Sequence, residues 1–361
     1  MTGEHRIVVL GAGYAGLAAA RQAARAKGVR VTVIDARAEL VERVRLHQVL
    51  AGQQVPRWNL RELLEPKGIE FTQARATRID PEAKRVELAD AEPVPYDSLV
   101  YALGSVADTG GVPGLAAHAH TVATPEDVRR APELSGRVAV VGGGSTGIEV
   151  ATELAESRPD LEVLLISADE PGAWLSAKAR GHIGAVLDRL GVRVHAGAKV
   201  AAVTPTGLDL VDGAHVPADT VLWTAGFAVP DVAARSGLAV DARGRVLVGD
   251  DLRAVAHPDI YAVGDAAVVT GPGERELRMA CATALPAGKY AATAITARLR
   301  GKEPAARQFR YYFQCLSLGR RDAVIQFLNP DDTPTARAVT GRPAVWFKEG
   351  IVRGAGWAAR P

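Results

Sequence analysis

Two glycine clusters in this chain carry the same spacing: Gly11, Gly13 and Gly16 near the N-terminus, and Gly142, Gly144 and Gly147 further along. Each follows an apolar run, 7–10 in the first case and 138–141 in the second, and each leads into a helix-compatible stretch. The spacing suits one chemistry. The first glycine permits a tight turn out of a strand, the second lets the backbone approach a pyrophosphate, and the third lets the helix pack close on the strand. The pyrophosphate then rests on the amides of the helix N-terminus. In a chain with 37 glycines one copy is weak evidence, but two copies in the same strand-to-helix context imply two dinucleotides.

What surrounds each cluster differs. Tyr14 and Ala15 stand inside the first, and the strand that follows it, 30–35, ends in Asp35, a carboxylate placed to bind ribose hydroxyls. Ser145 and Thr146 stand inside the second, where a hydroxyl caps the helix and donates to phosphate in one act. The strand corresponding to 30–35 is 161–167, which ends in Ser167. Without a carboxylate there, a 2′-phosphate is not excluded, and no arginine stands beside Ser167 to favour it. Asp169 and Glu170 lie just beyond, so NADH and NADPH both stay open.

These residues need elements to hold them. The first half, with strands, a helix over 17–26 and a polar hairpin near 80–81, closes with a strand running into Gly104. A glycine-rich crossing at 110–114 leads to a second half of the same design, with a helix over 178–190 and a closing strand that runs into Gly226. This internal repeat predicts two doubly wound α/β domains, Rossmann-like, rather than one open sheet. The phrase 257–267, with Gly264 and Asp265, then reads as a return to the first domain, followed by a helix over 279–299. Aromatic strands at 309–313 and 323–327 predict a small α+β C-terminal domain. The resulting limits are 1–112 and 241–300 for the first domain, 113–240 for the second and 301–361 for the last.

Composition narrows the class. The chain has 361 residues, 48% hydrophobic and 23% charged, as a globular protein of two to three domains does. A net charge of +2, with arginines scattered, gives no field for nucleic acid. Two cysteines make no secreted disulfide framework, so a reducing cytoplasm is expected. The N-terminus enters a strand at once, with no room for a signal peptide, and no run of about 18 apolar residues would span a bilayer. No metal-binding motif is present.

The two clusters, together with Leu99-Val-Tyr-Ala-Leu-Gly-Ser105, Trp223-Thr-Ala-Gly226 and Ile260-Tyr-Ala-Val-Gly-Asp265, resemble the two-dinucleotide-binding-domain flavoproteins of the pyridine nucleotide-disulfide oxidoreductase superfamily. Within them the chain is most similar to the type II NADH dehydrogenase and apoptosis-inducing-factor-like branch. The resemblance implies FAD on the first cluster and NADH or NADPH on the second, with hydride passing from nicotinamide to flavin. It implies that Asp265 holds the ribityl and pyrophosphate region of FAD. Ala36, Arg37, Ala76, Ala102 and Gly104 then complete the FAD side, with Arg45, Cys281 and Ala282 towards the flavin, and Gly226 closes the nicotinamide side. Glu149 matches the family glutamate that meets the nicotinamide near the flavin, and on a helix's first turn a carboxylate also suits the dipole.

The implied activity is an FAD-dependent NAD(P)H oxidoreductase whose acceptor the sequence does not name. Quinone stands first, ahead of oxygen, a small redox protein or a pathway intermediate. The alternatives are a redox-sensing NAD(P)H-binding flavoprotein acting through a partner, and a reductase of a ferredoxin-like protein. Departures bound the resemblance. No cysteine occurs before Cys281, which excludes the disulfide reductases' early redox pair. Type II NADH dehydrogenases carry an alanine-glutamine pattern for quinone where this chain has Ala282 and Pro286. Their membrane-docking C-terminal helices are not evident here. The segment with Trp346, Lys348, Arg353, Trp357 and Arg360 is expected to pack on the core, leaving peripheral membrane contact unsupported. Cys281 and Cys315 are expected as buried unpaired thiols, with a redox pair as the alternative, and His47 as structural.

Overall fold

The computed structural model describes residues 4–360. Its first sheet grows from β1 (His5–Leu10), fully buried from position 7 to 10, as a parallel strand covered by helices must be. The chain leaves it through the first glycine cluster into α1 (Tyr14–Ala23), then forms β2 (Val29–Asp35), β3 (Ile69–Gln73) and β4 (Ser98–Tyr101). β1 pairs in parallel with β2 and β4, and β2 with β3. A three-stranded antiparallel flap, Ala76–Asp80, Arg85–Leu88 and Ala91–Pro95, separates β3 from β4.

The second sheet repeats the plan with β5 (Ala119–Thr121), β6 (Arg137–Val141), α2 (Ser145–Ser157), β7 (Glu162–Ile166), α3 (Ala177–Arg189), β8 (Arg193–His195) and β9 (Thr220–Trp223). Its order is β5-β9-β6-β7-β8, all parallel. The chain then returns to the first sheet, where β10 (His257–Ala262) pairs in parallel with β4, and α4 (Cys281–Leu299) packs along α1. The first sheet thereby reads β10-β4-β1-β2-β3, with the two-residue antiparallel strand Arg253–Ala254 at the outer edge of β10. In both sheets the strand bearing the glycine cluster is central, with the next strand on one side and later ones on the other. That reversal opens a crevice at the carboxyl ends of the strands. An antiparallel sheet of β11 (Phe313–Ser317), β12 (Ala323–Leu328) and β13 (Pro334–Thr340), closed by α5 (Arg342–Ala359), completes the molecule. The fold is α/β: two Rossmann-like domains and a small α+β unit.

Some local expectations change. α1 starts at Tyr14 rather than near 17, because the cluster's own residues form its first turn. The strand expected at 309–313 begins only at Phe313, since Tyr311 turns inward and its hydroxyl accepts from the Arg278 amide at 2.8 Å. The C-terminal segment does form a packed helix, α5, but its tryptophans are not what packs: Trp346 is 75% exposed and Trp357 66% exposed. The buried face is made by Ala344, Lys348, Val352, Gly356 and Ala359. No helix among the described residues is long and apolar enough to cross a membrane.

Candidate active site

Both crevices open into one cleft of about 1330 Å³. A single ligand pocket commonly holds about 300–1,000 Å³, so this space suits two ligands rather than one. Both glycine clusters, the residues after β2 and β7, the Gly264-Asp265 turn, the start of α4 and one face of α5 line it.

In the first lobe Gly11 adopts φ +99°, and a side chain there would strike the Ala102 carbonyl. A Cβ on Gly16 would overlap the Gly11 carbonyl oxygen, so the third glycine sets how closely α1 approaches β1 and does not itself line the cleft. Around Gly13, by contrast, the space is open. No side chain caps α1, which leaves its first amides free to meet an anion. Asp35 is fixed by the amides of Ala12 (2.7 Å) and Arg37 (2.9 Å), which aim its carboxylate along the cleft wall. Opposite, Asp265 accepts from the Ser105 hydroxyl at 2.6 Å and faces Arg43 Nη1 at 3.5 Å. The Arg43 guanidinium lies over the Phe227 ring and also donates to the Ser105 carbonyl at 2.9 Å, while its Nη2 is buried with no partner among the described residues. The Tyr14 hydroxyl is orphaned in the same way. Burial lowers the Arg43 value and raises that of Tyr14. Open glycine, bare helix amides and two unmatched donors fit a dinucleotide pyrophosphate and a polar ring edge, so the residues present suit FAD.

The second lobe copies the first. Gly142 has φ +122°, and a Cβ on Gly147 would overlap the Gly142 carbonyl. α2 begins after Gly144 without a side-chain cap. Ser145 is therefore not the cap the sequence suggested: it is the first helical residue, and its hydroxyl accepts from Gln314 Nε2 at 2.8 Å. Ser167, buried against Gly143, lines the cleft together with Asp169, Glu170 and Lys199.

The lobes meet where the C-terminal unit closes over them. Glu149 lies on the second turn of α2, not the first, and its partners come from elsewhere in the chain. Its Oε1 accepts from the Ser317 amide (3.0 Å) and hydroxyl (3.1 Å) and pairs with Lys348. Burial works against its charge, yet Lys348 beside it holds the carboxyl below its usual value. His47 lines the cleft beside this pair, with Nε2 at 3.3 Å from Ser317 Oγ. Burial holds the imidazole down at about 4. The unfolded chain, titrating near 6.5, takes up a proton that the folded one refuses, so this contribution to stability is complete above that pH and lost as pH falls towards 4. His47→Gln is expected to remove about 3 kcal/mol of acid sensitivity across that window, seen as a shallower change in denaturant midpoint between pH 7 and 4.5.

Most expected site residues line the cleft: Tyr14, Ala15, Ala36, Arg37, Ala76, Ala102, Gly104, Gly226 and Gly264 all do, with the groups named above. Gly16 and Gly147 act in packing. Arg45 does not reach the cleft: it is held by Glu42 at 2.8 Å and Glu349 at 3.0 Å, and the guanidinium turned inward is that of Arg43, two residues earlier. Ala282 is exposed on the outer side of α4, while Cys281 faces in. Cys281 and Cys315 both line the cleft as free thiols, and burial pushes Cys281 up to about 11. They are protonated near neutrality and poor nucleophiles. Sequence reasoning missed Arg43, Ser105, Ser317 and Lys348. A lysine at a buried position of an amphipathic helix was the available signal for the last.

The family model described as pyridine nucleotide-disulphide oxidoreductase matches residues 5–288. An NADH dehydrogenase-like protein of Mycobacterium tuberculosis is 33% identical over 350 residues, covering 88% of this chain and 87% of that protein. The type II NADH:quinone oxidoreductase of Staphylococcus epidermidis is 28% identical, covering 96% and 94%. Among solved structures, the sulfide:quinone oxidoreductase of Aquifex aeolicus superposes with a TM-score of 0.83 at 21% identity, covering 99% of this chain and 91% of that one, a likeness of fold.

Proposed function

The chain belongs to the pyridine nucleotide-disulphide oxidoreductase family, and from that premise we propose that it oxidises NADH with bound FAD and reduces a quinone. The observation that carries the reading is one cleft lined by both glycine clusters, with a buried Glu149–Lys348 pair where the lobes meet. Two relatives cited above, one by sequence and one by fold, are named for quinone as acceptor. On this reading residues 1–112 and 241–300 form the flavin unit, 113–240 the nicotinamide unit and 301–361 the closing unit, and the enzyme works in the cytoplasm.

When bound, FAD accepts hydride from the nicotinamide and releases electrons to a second substrate. The chain's part is to position and to manage protons. α1 amides and Arg43 hold the pyrophosphate, Asp265 orders Arg43 and Ser105, and Asp35 binds the adenosine ribose. The bare N-terminus of α2 takes the second pyrophosphate. Asp169 and Glu170, beside Lys199, disfavour a 2′-phosphate, which makes NADH the better donor. Lys348, charged against Glu149, donates a proton to the acceptor oxygen.

The test is anaerobic addition of NADH or NADPH to the yellow protein, then of a soluble quinone. Loss of visible flavin absorption with NADH faster than with NADPH, and its return with quinone, is the expected result. A yellow protein that neither nucleotide bleaches would end the oxidoreductase reading. Bleaching that oxygen reverses but quinone does not would end the choice of acceptor.

A further inference from the structure

Quinone reduction by NADH consumes one proton besides the hydride: NADH, H⁺ and quinone give NAD⁺ and quinol. Resting on the acceptor reading above, we propose that this proton enters the cleft from the protein side, through Glu153, His47 and Ser317, and not from the mouth. Glu153 stands one helical turn after Glu149 on α2, on the same face of the helix. It is 0% exposed, an unusual setting for a carboxylate, and the ion pair of Glu149 with Lys348 does not include it. Its Oε1 accepts from Gln53 Nε2 at 2.5 Å and its Oε2 from Arg320 Nε at 2.9 Å. Both partners are half-buried and reach the surface, so Glu153 lies one side chain below solvent.

Inward, Glu153 Oε2 lies 3.7 Å from His47 Nε2, one gap longer than a hydrogen bond that the imidazole must close, and His47 Nε2 lies 3.3 Å from Ser317 Oγ and 3.4 Å from Arg320 Nη2. Ser317 Oγ donates to Glu149 Oε1 at 3.1 Å and accepts from Lys348 Nζ at 2.7 Å. Among these, His47, Glu149 and Lys348 line the cleft. The groups facing Glu153 are Glu149 and Glu156 on its own helix, His47 and Gln53 from the 46–53 segment, and Arg320 from the turn after β11. Behind Arg320 stands Glu349 of α5 at 3.3 Å. Burial and Glu156 favour the protonated carboxyl while Arg320 opposes it, and the balance raises Glu153 above an ordinary glutamate.

The transfer balances. Lys348 Nζ–H breaks as an O–H bond forms on the reduced acceptor, and the amine recovers a proton from the Ser317 hydroxyl. His47 Nε2, unprotonated at rest, takes the proton of the Glu153 carboxyl and passes it to the serine, and Glu153 is reprotonated by bulk water at Gln53 and Arg320. No net change is left on the protein, and one proton has crossed. Glu153 touches neither substrate nor cofactor and acts only through His47.

The test compares two acceptors, since ferricyanide takes electrons without protons. In Glu153→Gln, steady-state quinone reduction is expected to fall about 100-fold, while flavin bleaching by NADH and ferricyanide turnover stay within about twofold of wild type. The solvent isotope effect on quinone turnover should rise. Glu153→Gln/Arg320→Gln removes both members of the pair, so that Arg320 is not left facing a neutral amide, and should show the same split. Quinone and ferricyanide rates that fall together, or a quinone rate left unchanged, overturn the route. Wild-type protein that reduces ferricyanide and no quinone overturns the acceptor reading, and the route with it.

Discussion

Asp265→Ala is expected to purify without flavin. The carboxylate does not stand alone: Ser105 Oγ donates to it at 2.6 Å, and Arg43 Nη1 lies 3.5 Å away. Removing it frees the serine rotor and leaves a half-buried guanidinium bound only to neutral oxygens, with its buried Nη2 already unmatched. Losing hydrogen bonds to a charged group weakens binding by roughly 3 kcal/mol, about a hundredfold, and more where a buried cation is left uncompensated. Asp265→Asn keeps the shape and the acceptor for Ser105 but not the charge for Arg43, so it should retain part of the flavin. The ratio of visible to ultraviolet absorption in the purified variants measures this directly. Full flavin in the alanine variant would mean that the Gly264 turn, at φ +69°, orders the site without help from the side chain.

The two dinucleotide lobes were legible in the sequence because their requirements are local. Gly11, Gly13 and Gly16 act within one strand-turn-helix: Gly11 by its positive φ, Gly16 by the close approach of helix to strand, and Gly13 by leaving open space in front of the helix amides. Asp35 and Asp265 were legible for a similar reason, as each sits at a strand's carboxyl end. The meeting point of the lobes was not, because it is assembled from distant segments. Glu149 acquires its partners from Ser317 and Lys348, far along the chain, and nothing in the 342–360 segment marks one lysine as inward except helical phase. Arg45 and Arg43 lie in a short turn of 3-10 form where Glu42 and Glu349 fix the side chain of Arg45 and Ser105 and Asp265 that of Arg43. Spacing within such a turn does not decide which guanidinium faces the cleft. The alternating polar and small residues of β13 likewise carry no apolar rhythm of their own, and that strand exists because β12 pairs with it.

Lys348→Met and Glu149→Gln are expected to damage the enzyme in two separable ways. Lys348 Nζ is buried and answers both Glu149 and Ser317 Oγ, so the methionine variant leaves a buried carboxylate held only by the Ser317 amide and hydroxyl. Breaking one side of a buried ion pair costs about 3–5 kcal/mol, whereas replacing both sides is often close to neutral. Each single variant should therefore melt well below wild type, and Lys348→Met/Glu149→Gln should recover most of the loss. Activity should not follow stability. If Lys348 supplies the proton to the acceptor oxygen, quinone turnover falls by roughly 10²- to 10⁴-fold in both lysine variants, the rescued double included. Flavin content should hold throughout, since neither residue touches the first glycine cluster. Thermal melts read beside quinone turnover decide the matter: a double variant that regains stability and turnover together would make the pair a strut between α2 and α5, and one that regains stability alone makes it the proton donor of the cleft.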